Sequence, residues 1–235
     1  MRKSAVLIFV MFGSITIAKA QTLIPRIGIT SATGTFEKGT LTTDQSTSSI
    51  TGITIALGYN APITNFGKVV FGLQPEVNYI QKGASIKSDG EFYIGEAIYT
   101  SKNTSKQTIN YLEFPVLARF EYGSDKFKVA VFTGPAIGFG LGGRYEVESR
   151  VETGETVEVY KSKGKIVFYD QNGEENTSSL DHNIDFSVQA GAAFTFFKHI
   201  QLDVRYGHGL TNKSHYVDSK NRVLQFSVGV PISLH

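Results

Sequence analysis

Hydrophobic and polar residues alternate with a period of two along most of the chain after residue 20, and no segment there has a sustained 3.6-residue apolar repeat. This alternation predicts β-strands. Eight runs are long enough to serve as barrel strands: 23–36, 50–62, 69–82, 109–122, 127–145, 183–196, 200–210 and 222–234. An even number of strands closes a single-chain antiparallel barrel. The pattern therefore predicts an all-β chain that forms a single eight-stranded antiparallel β-barrel.

The connections between these runs alternate in length. Those at 62–68, 123–126 and 197–199 are short, whereas 37–49, 83–108, 146–182 and 211–221 are long and polar. Barrels of the outer-membrane type combine short periplasmic turns with long external loops. A soluble up-and-down barrel, which meets water at both ends, would not require this asymmetry.

The two faces of each run differ in charge. One face is apolar, as in Ile53, Ile55 and Leu57. The other face holds ten charged residues, five of each sign: Arg26, Glu76, Glu113, Arg119, Glu121, Lys128, Arg144, Asp185, Asp203 and Arg205. The lumen of an eight-stranded barrel has little more room than its own side chains need, and Arg or Lys in hydrocarbon costs roughly 2–4 kcal/mol. We therefore expect a transmembrane barrel with its charges inside and outer-membrane lipid as its surrounding partner.

The charged face holds the candidate site. We predict that five residues form a structural charge network that plugs the lumen: Glu76, Glu113, Arg119, Asp203 and Arg205. Acid–base catalysis by the carboxylates is the alternative, but balanced charges in a dry interior favour mutual pairing. No catalytic residue, metal site or cofactor is predicted. The glycine-rich segment 138–143 has the spacing of a dinucleotide fingerprint, yet a strand-like sequence follows it where a helix would be needed.

Three prolines interrupt the predicted strands. Pro75, Pro115 and Pro135 fall inside successive runs, and proline cannot donate a hydrogen bond to a sheet. We expect β-bulges at these positions.

The N-terminus has the features of an export signal. Arg2 and Lys3 precede an apolar stretch of about 13 residues, which is shorter than a membrane-spanning helix, and Ala18 and Ala20 provide the small residues for cleavage before Gln21. We predict a signal peptide at 1–20, a barrel domain at 21–235 and location in the cell outer membrane. Cleavage leaves 20 basic residues against 21 acidic ones, so no nucleic-acid partner is expected. The chain has no cysteine and hence no disulfide.

Several segments resemble the PorT-like outer-membrane β-barrel family of Bacteroidetes. These are Gly72–Tyr79 (GLQPEVNY), Tyr111–Leu117 (YLEFPVL), Gly134–Ala136 and Leu202–Leu210 (LDVRYGHGL). The resemblance implies an eight-stranded outer-membrane barrel. It also implies, more weakly, an accessory role in protein secretion, because the member that names the family is implicated in secretion across the outer membrane.

These observations lead to three functional hypotheses. The first is a non-enzymatic barrel with a filled lumen that contacts envelope or secreted proteins through segments 37–49, 83–108, 146–182 and 211–221, or assists envelope assembly or secretion. The second is an outer-membrane enzyme of the lipid A-modifying or protease type. The third is a small-solute channel, which the balanced lumen charges disfavour.

Overall fold

The computed structural model describes residues 21–36, 45–169, 176–180, 182–212 and 219–234, so the predicted signal peptide lies outside it. These residues form twelve strands: β1 Gln21–Phe36, β2 Gln45–Ser48, β3 Ile50–Phe66, β4 Val69–Ile94, β5 Ala97–Gly123, β6 Phe127–Thr153, β7 Thr156–Phe168, β8 Thr177–Leu180, β9 Ile184–Phe196, β10 Ile200–Gly209, β11 Ser219–Gly229 and β12 Ile232–Leu234. In this described part of the chain, no helix has the length and apolar character to cross a membrane.

Eight of the strands pair into a closed antiparallel ring. The order is β1–β3–β4–β5–β6–β9–β10–β11, and β11 pairs with β1 to close it. β12 extends this closing seam by pairing with the start of β1. The other three strands lie beyond the ring, where β2 pairs with β4, β7 with β6, and β8 with β7. The predicted all-β fold with eight barrel strands is confirmed.

The alternation of the sequence sets which side chains face outward. In β3, Ile53, Ile55 and Leu57 are exposed on the outer surface, whereas Thr54 and Ala56 are buried inside. Aromatic pairs near the short turns continue this outer apolar surface: Phe71 with Phe120 and Phe127 with Phe196, with ring centroids 5.0 and 5.3 Å apart. The arrangement is that of a barrel whose solvent is lipid, with small and polar side chains turned to the lumen.

The strands β4, β5 and β6 are much longer than the other strands of the barrel. β4, β5 and β6 have 26, 27 and 27 residues, whereas β10 and β11 have 10 and 11. About 9–11 residues are enough to cross the membrane. The predictions of long loops at 83–108 and 146–182 were therefore wrong for most of their length. β4 and β5 meet in a tight turn at Gly95, and β6 and β7 meet at Gly154, both glycines having positive φ.

The other two predicted loops are described only in part. Segment 37–49 contains β2, and its residues 37–44 lie outside the described residues. In segment 211–221, residues 213–218 lie outside them, and β11 already begins at Ser219.

The prolines do not cause bulges. The pairing registers on either side of Pro75, Pro115 and Pro135 are the same, because a missing N–H removes a ladder bond without inserting a residue. Register shifts occur instead between Pro62 and Thr64 in β3 and between Asn110 and Tyr111 in β5.

The register shift at Asn110 and Tyr111 exchanges the inward-facing and outward-facing positions of β6. Opposite it, Gly142 has a φ of 111°, a conformation that favours glycine. Beyond this bulge, Arg144 is exposed on the outer surface. Its predicted position inside the lumen was therefore wrong.

Candidate functional sites in the lumen and the extracellular sheet

The structure buries all five predicted lumen residues. Arg205 donates two hydrogen bonds to Glu76, at 2.7 and 3.0 Å, in the bidentate geometry of a strong ion pair. The same guanidinium donates to Gln189, whose amide in turn donates to Glu113 at 3.3 Å. Gln189 thus links Arg205 to Glu113, two charged side chains that are not in direct contact.

Arg119 and Asp203 join the network nearer the periplasmic end. Arg119 donates to Gln74 at 3.1 Å and to Gln201 at 3.4 Å, and the Gln201 amide donates to Asp203 at 2.7 Å. Arg119 also pairs with Glu121 at 3.0 Å. Gln74 in turn donates a hydrogen bond to Glu76. The five predicted residues therefore belong to one connected network, although only Glu76 and Arg205 form a direct ion pair with each other.

Two further cations complete this network. Arg26 lies 2.6 Å from Glu76 and 3.7 Å from Asp203. Lys82 lies between Glu113 and Asp185, with 2.7 Å to the Asp185 carboxylate. Sequence reasoning missed Lys82 altogether. Its even position, the same parity as Glu76 in the same predicted run 69–82, was the available signal.

The network is balanced in charge, and it is tightly filled except at the periplasmic end, where Arg119 and Gln201 line a cavity of about 180 Å³. Its fully buried members are the cations Arg26, Lys82, Arg119 and Arg205 and the anions Glu76, Glu113, Asp185 and Asp203. Two cavities among them have a volume of about 10 Å³ each, which is room for about one water. Because the carboxylates are held by cations and amides, they are poorly placed to accept a proton from a substrate.

An apolar layer covers the network on the extracellular side. Its buried members come from β1, β3, β4, β5, β7 and β11: Ala32, Ile50, Ile80, Ile109, Tyr111, Ile166 and Val223. Phe168 packs against this layer from β7. Gly140 makes room for it, because a Cβ there would lie 2.2 Å from the Phe168 ring. The end of β7, in the β6–β7 hairpin, thus packs into the extracellular opening of the lumen.

The tip of the β4–β5 hairpin carries exposed apolar side chains. Phe92 and Tyr99 stack with ring centroids 5.2 Å apart. Tyr93, Ile94 and Ile98 are exposed beside them, far along the strands from the membrane segment. Apolar side chains clustered on a surface that meets water commonly mark a contact site for another protein.

The periplasmic end has a different character, with short turns held by polar contacts. Lys198 in the β9–β10 turn lies 2.6 Å from Asp125 in the β5–β6 turn. The hydrogen bond from Lys198 holds the pKa of the Asp125 carboxyl below its ordinary value. Within the described residues, no group of three or more His, Asp or Glu side chains has the geometry of a metal site.

Among solved structures, the chain is similar to several outer-membrane proteins. The Ail protein of Yersinia pestis is 10% identical, with 92% of this chain and 100% of that chain covered and a TM-score of 0.35. The enzyme PagL is 14% identical, with 90% and 99% covered and a TM-score of 0.43. OprG of Pseudomonas aeruginosa is 9% identical, with 92% and 97% covered and a TM-score of 0.41. No curated protein sequence matches this chain.

A family model matches most of the chain. Residues 25–214 match the outer membrane protein beta-barrel domain, and this segment contains seven of the eight barrel strands and most of the lumen network. The protein belongs to the outer membrane beta-barrel domain family.

Proposed function

We propose that this barrel is a non-enzymatic, plugged outer-membrane protein that presents a tall extracellular sheet to envelope or secreted proteins. The observation that carries the proposal is the apolar tip of the β4–β5 hairpin, where Phe92, Tyr93, Ile94 and Ile98 are exposed and the half-buried Tyr99 stacks on Phe92. Continuous pairing of β4 with β5 up to Ile94 and Ala97 holds this tip well above the membrane. Such a patch has no role in anchoring the barrel and is typical of a protein-binding surface.

The filled lumen supports the same proposal. A solute would have to pass the apolar layer around Ile109 and Tyr111 and then the ion pairs of Glu113 and Glu76. Conduction would require these contacts to separate, which is costly for charges buried at low dielectric. The tall hairpins therefore remain as the part of the molecule available for contact.

Within the family, we place the chain with the PorT-like barrels of Bacteroidetes, exported by cleavage after residue 20 and acting as an accessory of envelope assembly or secretion. Two of the four segments that carry the resemblance, Gly72–Tyr79 and Tyr111–Leu117, are antiparallel neighbours in β4 and β5. They provide Glu76 and Glu113 to the network. N-terminal sequencing that finds Gln21 as the first residue would support export by cleavage.

Site-specific photo-cross-linking in intact cells tests the display role. A cross-linker placed at Tyr93 should capture a discrete envelope or secreted protein, and Ile94→Ser with Ile98→Ser should abolish the capture without reducing the amount of folded barrel. The matched control places the cross-linker at Lys126 in a periplasmic turn. Equal capture from both ends, or capture that survives the serine substitutions, would refute the proposal.

Conductance separates this function from the channel alternative. The purified protein should be nearly silent in planar bilayers, because an eight-stranded lumen is filled by its own side chains. Reproducible conductance steps from the folded wild-type barrel would favour a pore instead. A hydrolytic activity on lipid A or peptide that Glu113→Gln removes, in a barrel that stays folded, would favour an enzyme.

A further inference from the structure

The outward face at the base of the extracellular sheet carries a group of basic side chains. Arg144 and Lys165 are cross-strand partners in β6 and β7, and both are exposed. Their neighbours Tyr145 and Ile166 pack against the apolar layer of the lumen. Because successive residues of a strand point to opposite faces, Arg144 and Lys165 must point away from the barrel axis.

A second basic row lies two residues further from the membrane. Lys106 in β5 and Lys163 in β7 flank Glu146 in β6, since Glu146 pairs with both. These side chains, together with Lys161 and Glu148, line a groove of about 480 Å³. Lys161 is paired with Glu148 at 2.9 Å.

Most of this positive charge is not neutralised by the protein. Among the residues that the structure describes, Arg144, Lys165, Lys106 and Lys163 make no ion pair. With Glu146 as the one unpaired acid between them, these four cations leave a net charge of +3. This contrasts with the lumen, where every fully buried charge has a neighbour of opposite sign.

The height of the basic group above the hydrocarbon determines what can neutralise it. The apolar outward surface of β6 ends with Phe139 and Leu141, both exposed, and Arg144 follows three residues later. Three residues span about 10 Å along a strand, or about 7 Å of height at a tilt near 45°. The headgroup layer on each side of a bilayer is about 5–8 Å thick. Arg144 and Lys165 therefore lie at headgroup level, facing outward into the outer leaflet.

We propose that Arg144, Lys165, Lys106 and Lys163 form a binding site for the phosphate groups of an anionic glycolipid in the outer leaflet of the outer membrane. Arg144 and Lys165 contact a phosphate at the hydrocarbon boundary. Lys106 and Lys163 line the groove above it and contact more polar parts of the same headgroup. Occupation of the site holds the base of the tall hairpin against the membrane surface. The inference rests on the outer-membrane location and is independent of what the hairpin tip binds.

The number of lipid molecules that stay bound to the purified protein tests the proposal directly. The full mature protein is assembled in nanodiscs that contain neutral lipid with a minor fraction of diphosphoryl lipid A, dephosphorylated lipid A or phosphatidylglycerol, and lipids that stay bound are counted by native mass spectrometry. The wild-type protein should retain diphosphoryl lipid A at least about tenfold more than either other lipid, because each basic residue near the surface adds to the attraction for an anionic headgroup.

A control variant at the periplasmic end of the barrel makes the test specific. Replacing Arg144, Lys165, Lys106 and Lys163 by Gln should reduce retention of diphosphoryl lipid A to the level of its dephosphorylated form. The control replaces Lys68 and Lys126 in the periplasmic turns by Gln and should retain lipid A as the wild type does. Because all four substituted side chains face away from the lumen, the heat-modifiable mobility of the barrel should be unchanged in both variants.

Three results would overturn the proposal. They are unchanged retention by the four-site variant, equal retention of phosphatidylglycerol by the wild type, and binding of a soluble sulfated oligosaccharide in lipid A-free discs that the same four substitutions abolish. The first would show that the face does not bind lipid phosphate. The second would reduce it to nonspecific attraction, and the third would assign the face to a soluble polyanion. A four-site variant that does not fold is replaced by Arg144→Gln with Lys165→Gln, for which the same loss is expected.

Discussion

β5 crosses two different environments, and the burial of its side chains follows a different pattern in each half. From Tyr111 to Gly123 the strand lies in the membrane wall, and its residues alternate between buried lumen positions such as Glu113 and exposed lipid positions such as Phe114. From Ala97 to Asn110 the same strand stays paired with β4, and from Thr100 onward also with β6. Most of its residues there are half-buried or exposed, and no strict alternation remains.

The difference arises from the solvent and not from the backbone. In the membrane half, hydrocarbon on one side and a crowded lumen on the other impose opposite requirements on neighbouring residues. In the extracellular half, water reaches both faces of the sheet, so Lys, Thr, Ser and Glu are accepted on either side. Backbone pairing continues because it depends only weakly on side-chain polarity, whereas alternation appears only where the two faces differ.

The largest contrast is expected for ion pairs. Lys82→Met should destabilise the barrel by about 3–5 kcal/mol, because it leaves Glu113 and Asp185 buried without their cation. The matched control, Lys161→Met, removes an exposed lysine from Glu148 in the extracellular sheet, with side chains 71% and 53% exposed, and should cost at most about 1 kcal/mol. Urea unfolding in liposomes, followed by circular dichroism because the chain has no Trp, measures both.

Combining Lys82→Met with Glu113→Gln and Asp185→Asn should restore part of the lost stability, since no unpaired charge then remains. Equal destabilisation by Lys82→Met and Lys161→Met would show that the lumen is wetter than its packing indicates.

The second contrast concerns charge on the outer surface. Val131 in β6 and Val159 in β7 are both exposed, at 54% and 47%, but the first faces hydrocarbon and the second faces water. Val131→Arg should cost roughly 2–4 kcal/mol near the bilayer midplane and impair assembly, whereas Val159→Arg should change stability by no more than about 0.5 kcal/mol. The heat-modifiable gel shift of membrane-extracted protein reports assembly. Equal loss of the shift for both variants would contradict the assignment of the membrane segment.

The sequence predicted the membrane half well and the extracellular half poorly for this same reason. The alternation correctly assigned Arg26, Glu76 and Arg205 to the lumen, because lipid excludes charged side chains from the other face of the strands. Segments 83–108 and 146–182 looked like loops because nothing in their polarity distinguishes a strand that is wet on both sides from a polar connection.

The alternation of hydrophobic and polar residues also could not predict several details of the lumen network. The reversal at Gly142 that turns Arg144 outward depends on a register shift between β5 and β6, which alternation within one strand does not report. The hydrogen bonds from Gln189 to Glu113 and from Arg119 to Gln201 join different strands, so these partners follow only from the closed ring.

The third prediction examines where the two regions meet. Gly140→Ala should destabilise the barrel by about 1–3 kcal/mol, because its Cβ would overlap the Phe168 ring at the mouth of the lumen. Adding Phe168→Ala should recover the overpacking cost, so that the double variant is no less stable than Phe168→Ala alone. Chemical unfolding of the four proteins completes a double-mutant cycle. Strictly additive costs would show that β7 does not pack into the lumen as described.

The smallest effect is expected when the hairpin tip is removed. Asp89 and Lys102 are paired in register, so residues 90–101 can be replaced by an Asn-Gly turn that suits a two-residue hairpin. The shortened barrel should unfold within about 1 kcal/mol of the wild type, because the deleted segment contributes no lumen contact and no lipid-facing surface. A deletion of residues 194–203 from the β9–β10 hairpin is comparable in length but removes Gln201 and Asp203 from the network, and it should abolish the heat-modifiable barrel. If the tip deletion also abolished that barrel, the extracellular sheet would be an integral part of the folding unit, and the distinction between the two halves of β5 would fail.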